Sequence, residues 1–298
     1  MIVAAIDIGT NAVLLTVADW DGKNTKVLRD EARITRLGQG LNLDPNFLPE
    51  AQERTLSVLK DYRKIAGELG ARKILAVGTA GFRKAKNAAA FVERIRKEAD
   101  IAVRVISGEE EARLSYLSAA HDFGASDDLY VLDIGGGSTE VISKAGGVSM
   151  ELGAVVLSEA IVKNDPPTEE EIGEMEKQIE CRVGAGFPGP GRGDRAPTLI
   201  GLAGSVTTLS AIKQGLTVWD GAKVQGSVLT MQDVDGFIAL FRRTTNEERS
   251  AIVGMVKGRE DTILAGTMIL KAVMEALAVD RVTVSDRGLR FGLIYESS

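Results

Sequence analysis

Leu129-Tyr130-Val131-Leu132-Asp133-Ile134-Gly135-Gly136-Gly137-Ser138-Thr139-Glu140-Val141-Ile142-Ser143 reads as an apolar strand, a glycine turn and a second apolar strand running into Gly146-Gly147. The chain opens on the same pattern: Ile2 to Ile6, then Asp7-Ile8-Gly9-Thr10-Asn11, then Val13 to Ala18 and a hairpin turn at Asp21-Gly22. A matching strand–turn–strand unit in each half of the chain predicts two similarly built domains. We place them at 1–120 and 121–298, with the last helix able to pack back on the first. Outward from the hairpins, helical periodicity covers 50–69, 87–99, 109–120, 154–163, 168–182, 205–213, 232–243 and 260–278. Strand-like runs at Lys73–Val77, Ile101–Ile106, Thr198–Leu202 and Arg281–Ser285 alternate with them, which is an α/β arrangement. Gly184 to Pro197 holds five glycines and three prolines, so a surface loop is expected there, with Arg192-Gly193-Asp194 as a chance tripeptide.

Composition narrows the function classes. The 298 residues are 44% hydrophobic and 26% charged, which excludes disordered and fibrous chains. One cysteine, Cys181, cannot close an internal disulfide, and one histidine, His121, cannot build an imidazole-rich zinc site. Met1 to Thr10 lacks a basic leader, and Lys271 and Glu275 interrupt the apolar stretch 263–279. The expectation is a cytoplasmic protein with no membrane attachment. A net charge of −6 argues against a nucleic-acid partner, yet 60–113 carries thirteen Lys/Arg against eight Asp/Glu, a local patch suited to anions.

Glycine at a strand end lets backbone amides approach a ligand, and consecutive unpaired N–H groups seat phosphate oxygens. The candidate phosphate contacts are therefore Gly135, Gly136, Gly137 and Ser138 in one turn and Thr10 and Asn11 in the other. Asp7 and Asp133 stand beside these turns, where a carboxylate would repel phosphate without a hard cation between them, so each is a candidate metal ligand. Gly78 to Lys86 reads as a loop after a buried strand, and its Arg83 is suited to bidentate phosphate contact. Ser107-Gly108-Glu109-Glu110-Glu111 opens a helix in which Ser107 and Glu110 have capping-box spacing. Glu111 lies one residue beyond the box and is the candidate general base on water. Gly201-Leu202-Ala203-Gly204-Ser205 leads into a helix with Ser205 as an N-cap candidate, and is either a third phosphate or nucleotide contact or a plain strand–helix turn, while Arg287 either enters the site or forms a surface ion pair.

These stretches together, with Ser285-Asp286-Arg287-Gly288-Leu289-Arg290, resemble the exopolyphosphatase / guanosine pentaphosphate phosphohydrolase family over essentially the whole chain, in its short two-domain form. The resemblance implies two ribonuclease-H-like domains of the actin, sugar-kinase and chaperone ATPase superfamily with a phosphate cleft between them. It implies Glu111 as catalytic base, Asp133 and Glu140 as metal-associated acids, Arg83 as a phosphate arginine and Gly135 to Ser138 as the phosphate loop. The expected activity is Mg²⁺-dependent hydrolysis of the terminal phosphate of inorganic polyphosphate, with Mn²⁺ as the alternative metal. The competing readings are a guanosine pentaphosphate 5′-phosphohydrolase, a non-catalytic polyphosphate or alarmone sensor, and an ATP-dependent kinase. A homodimer is admitted as an assembly.

Overall fold

The computed structural model describes residues 1–41, 43–186 and 197–297. Most of the glycine- and proline-rich tract, including Arg192-Gly193-Asp194, lies outside the described residues. By contact the chain divides into two compact units, Met1–Ser118 with Leu289–Ser298, and Ala119–Gly288.

The first unit contains β1 (Ile2–Ile8), β2 (Ala12–Trp20), β3 (Thr25–Ile34), α1 (Pro49–Glu68), β4 (Lys73–Gly78), α2 (Ala80–Lys84), α3 (Ala88–Ala99) and β5 (Val103–Val105). α4 (Gly108–Phe123) follows, and the boundary between the units falls within it. The sheet order is β3-β2-β1-β4-β5, with β2 antiparallel to both neighbours and β4 and β5 parallel to β1. That is the ribonuclease-H-like arrangement. Alternation along β1 sends Ala4, Ile6 and Ile8 to one core with Leu56, Leu59, Tyr62, Phe91 and Ile95. Val3 and Ala5 face a second core with Leu114 and the closing helix α12 (Leu289–Tyr295). Gly292 is required there, since a Cβ would lie 2.2 Å from the Leu114 carbonyl oxygen.

The second unit contains β6 (Leu129–Ile134), β7 (Thr139–Ser143), β8 (Gly146–Met150), α5 (Ala154–Ile161), α6 (Glu169–Gly186), β9 (Thr198–Leu202), α7 (Ala203–Lys213) and α8 (Gly221–Val224). β10 (Val228–Thr230), α9 (Met231–Phe241), α10 (Asn246–Ser250), α11 (Ile263–Ala276) and β11 (Arg281–Val284) complete it. Its order, β10-β11-β9-β6-β7-β8, repeats the first sheet as β8-β7-β6-β9-β11 and adds β10 on the edge. The repeat read in the two hairpins is thus a repeat of whole sheets. α11 is apolar nearly all round because it is the centre of this core, burying Ile263 to Leu270, Val273 and Met274.

Three local readings change. Residues 80–84 form one turn of helix instead of a loop, because Phe82 is drawn into an aromatic cluster with Phe47 and Phe91, at centroid distances of 5.2 and 6.1 Å. Gly184 to Gly186 continue α6, where Val183 is buried and Gly186 approaches Met150 too closely for a side chain. Gly146-Gly147 is the start of β8, not a turn, since Ser143 pairs with Gly146 and leaves a two-residue hairpin at Lys144-Ala145.

Candidate active site

The two repeat-related turns are built alike. Gly9 N–H donates to the Ala12 carbonyl at 2.9 Å, and Gly135 N–H donates to the Ser138 carbonyl at the same distance. Two further carbonyls of each turn are taken by neighbouring backbone. Thr10 O accepts from Gly38, and Asn11 O accepts from Thr35 and Arg36. Gly135 O accepts from Ala154, and Gly136 O accepts from Val155 and Val156 at the start of α5. Among the described residues, no acceptor takes the N–H groups of Thr10, Asn11, Gly136, Gly137 or Ser138. Tied-back carbonyls and unpaired N–H groups make an anion seat.

Gly153 holds the second seat in shape. A Cβ there would lie 2.3 Å from Gly136 O and 2.4 Å from Gly137 N, backbone atoms that cannot swing aside. Gly153→Ala is expected to displace the turn and lower kcat/KM for phosphate release by about 10²-fold, the cost of a misplacement near 1 Å. Steady-state kinetics beside a circular-dichroism melt checks this; unchanged kcat/KM in a folded variant would show that the turn does not touch substrate.

The first unit brings Arg83 and Glu111 together. Glu111 begins α4, where Ser107 Oγ accepts the Glu110 N–H at 3.1 Å, the capping half that the spacing anticipates. The Glu110 carboxylate goes to Arg104, leaving Glu111 to turn inward. Its Oε2 accepts from Arg83 Nη1 at 2.7 Å, and the same Nη1 donates to Ile106 O at 3.1 Å. Burial raises the Glu111 carboxyl above the ordinary range, and the Arg83 hydrogen bond and charge pull it back down. Arg83 is therefore first a holder of the candidate base. A base acts deprotonated, so removing its cation moves the acidic limb of activity upward in pH. Arg83→Met should show that shift in kcat/KM against pH; a limb that stays in place would separate Arg83 from Glu111.

Asp7 stands at the carboxyl end of β1, paired across the sheet with Leu14 and Val77. Its Oδ1 is sealed from solvent and has no hydrogen-bond partner. Desolvation, then the charge of Glu111, pushes its carboxyl up to about 7, with Arg290 opposing them. A desolvated carboxylate with an orphaned oxygen, feeling the charge of a second one, fits a divalent cation, which keeps most of its ligands as water and substrate oxygens. Among the described residues no three His, Cys, Asp or Glu side chains gather as a ready ligand set.

In the second unit Asp133 is the cross-strand partner of Glu140, so both carboxylates stand on one face of the β6–β7 hairpin. Glu140 is buried and its Oε1 accepts from Ser149 Oγ at 2.7 Å. Arg287 pairs with Asp122, a buried carboxylate, at 3.1 Å, the partly exposed arginine making a part-buried ion pair. Ser205 is not an N-cap. β9 passes directly into α7 through Ala203 at φ 65°, and Ser205 is buried inside the first turn.

Sequence reasoning missed Arg259. A Cβ on Gly204 would lie 1.8 Å from its Nη2, so the guanidinium rests on the backbone opening α7. Desolvation lowers it to about 10. The signal available was Lys257-Gly258-Arg259-Glu260-Asp261, a charged turn ahead of the apolar helix α11.

Comparison with known proteins accords with this geometry. Residues 16–298 match the model of the Ppx/GppA phosphatase family. Exopolyphosphatase 2 of Mycobacterium tuberculosis is 33% identical over 98% of this chain and 97% of its own length. A guanosine-5′-triphosphate,3′-diphosphate pyrophosphatase of Photobacterium profundum is 28% identical over 98% of this chain, which spans 58% of that protein. The solved Ppx/GppA enzyme of Aquifex aeolicus superposes with a TM-score of 0.82 at 34% identity, over 100% of this chain and 99% of that one. With a repeated ribonuclease-H-like sheet, two matching glycine turns and a family match over nearly its whole length, the chain belongs to the Ppx/GppA phosphatase family.

Proposed function

We propose that this chain is an exopolyphosphatase, releasing the terminal phosphate of inorganic polyphosphate by metal-assisted attack of water. The observation that carries the reading is the pair of repeat-related turns that present unpaired N–H groups while the Thr10, Asn11, Gly135 and Gly136 carbonyls are tied back. Thr10, Asn11 and Gly136 to Ser138 bind and orient phosphate oxygens. Glu111 takes a proton from water as the water oxygen attacks the terminal phosphorus. The bridging P–O bond breaks and the shortened chain leaves as an anion. Arg83 holds Glu111 in place and restrains its basicity. The carboxylates suited to Mg²⁺, or Mn²⁺ in its place, are Asp7 in the first unit and the Asp133–Glu140 pair in the second. When bound, the cation offsets charge on the phosphoryl oxygens. A cytoplasmic location suits a chain in which, among the described residues, no helix is long and apolar enough to cross a membrane.

The pentaphosphate reading uses the same chemistry but needs a wall for guanine. Phe82 is the aromatic that adjoins the phosphate motifs, and it is 3% exposed, stacked on Phe91 and edge-on to Phe47, so it offers no face to a base. Polyphosphate is therefore the expected preference. The test compares kcat/KM for phosphate release from long polyphosphate, tripolyphosphate, guanosine pentaphosphate and ATP with Mg²⁺, at low and high salt. A long polyanion held by exposed cations should lose affinity as the Debye length falls below about 10 Å. A higher kcat/KM for guanosine pentaphosphate, with a salt-insensitive polyphosphate KM, reverses the assignment.

A further inference from the structure

Thr79 lies between β4 and α2, and its main chain is fully used. Its N–H donates to Ile8 O at 3.3 Å, and its carbonyl accepts from Phe82 and Arg83 at 3.0 and 3.3 Å. Its hydroxyl is not used. A threonine at a helix start ordinarily caps the N–H two or three residues on, as Thr230 and Thr245 do for α9 and α10. Thr79 makes no such bond. The residue is 4% exposed, and among the described residues nothing pairs with its Oγ1. That oxygen is not sealed as Asp7 Oδ1 is, so the partner left for it is water.

Its place in the sheet decides which water. β4 runs between β1 and β5. On one side Thr79 is bonded to Ile8, the residue before the Gly9 turn; on the other, Gly78 O accepts from Ile106 N at 3.1 Å, just ahead of α4. Thr79 therefore stands between the turn that seats phosphate and the helix that carries Glu111. The face agrees. Alternation puts Asp7 on the side of β1 that holds Val3 and Ala5, and Asp7 is the register partner of Val77, two residues before Thr79 on the same side of β4. Ile106 and Leu114, which flank Glu111 in sequence, pack on that side too. α2 also rests against the first turn, since a Cβ on Gly81 would lie 3.5 Å from Thr10 Oγ1. We propose that Thr79 is a positioning residue for the attacking water. Its Oγ1 accepts one water O–H while Glu111 takes the other proton, which leaves a lone pair for the phosphorus of the phosphate seated at Thr10 and Asn11. The proton held toward Thr79 stays on the oxygen that joins the released phosphate. This rests on the polyphosphate reading above.

Thr79→Val removes the oxygen and keeps the shape. kcat for phosphate release from long polyphosphate should fall about tenfold or more, the order of one well-placed hydrogen bond, with KM within about twofold of the parent. Thr79→Ser, which keeps the oxygen, should recover most of the loss. The acidic limb of kcat/KM against pH should stay in place in both, because the Arg83–Glu111 contact is untouched. Should Thr79→Val not fold, Thr79→Ala against Thr79→Ser makes the same comparison. Parental kcat in Thr79→Val would overturn the proposal. So would a serine variant as slow as the valine one, or an acidic limb moved upward as expected for Arg83→Met, either of which would make Thr79 a shaper of α2 alone. If the parent releases phosphate and Thr79→Val is unimpaired, the proposal falls by itself; if the parent releases none from polyphosphate, the hydrolase reading falls with it.

Discussion

Glu111→Gln is expected to lower kcat by about 10²–10⁴-fold while leaving the KM for polyphosphate nearly unchanged, the mark of a group needed in the transition state and not for binding. Glutamine keeps the size of the side chain and an oxygen for Arg83, so the start of α4 is not disturbed. What it removes is the capacity to accept a proton. The half-buried setting that raises the Glu111 carboxyl makes it a stronger base than a surface glutamate, and the 2.7 Å contact from Arg83 keeps one oxygen oriented. Glu110 is the natural control, one residue earlier, in the same helical turn and paired outward with Arg104. Glu110→Gln should change kcat by less than about twofold, as a surface ion pair contributes little. Single-turnover phosphate release with both variants decides the matter. Parental turnover in Glu111→Gln would leave it as one more acid favoured by a helix start.

The repeat was legible because apolar alternation and glycine turns are written in residue types, and both hairpins spell them in the same order. β3 was not. Lys26, Arg29, Asp30, Glu31 and Arg33 give it the composition of a loop, yet it is an edge strand whose charges pair along and across the sheet. Glu31 bridges Arg29 and Arg33, Arg33 reaches Asp61 on α1, and Asp30 receives both Thr16 Oγ1 and Arg290. Arg290, some 260 residues away in sequence, completes that last cluster from α12, and no local pattern announces such a partner. The site shows the same division. Glycine turns and the helix-start acids could be read in the chain, whereas the Arg83–Glu111 pair and the approach of Arg259 to Gly204 depend on tertiary packing.

Asp7→Asn should abolish phosphate release and yet make the metal-free protein more stable above neutral pH. In the unfolded chain this carboxyl ionises near its ordinary value of 3.8, whereas in the fold desolvation and Glu111 push it up to about 7. The folded state therefore holds a proton that the unfolded state has released, and stability falls as pH rises from about 4 to about 7. Above that window both states are ionised and the penalty is constant. Three pKa units correspond to at most about 4 kcal/mol, part of which the asparagine amide loses to its own desolvation. A difference of even 1–2 kcal/mol moves the melting temperature by roughly 2–8 °C in a chain of this size. In EDTA the variant should melt with the parent near pH 4 and several degrees above it at pH 8. Adding Mg²⁺ should then raise the parent, because a cation that binds only the folded state stabilises it by mass action, and leave Asp7→Asn unmoved. Parallel melting curves at both pH values, with equal Mg²⁺ responses, would remove Asp7 from the metal site. Agreement would identify the orphaned oxygen as stored instability that a bound divalent cation relieves.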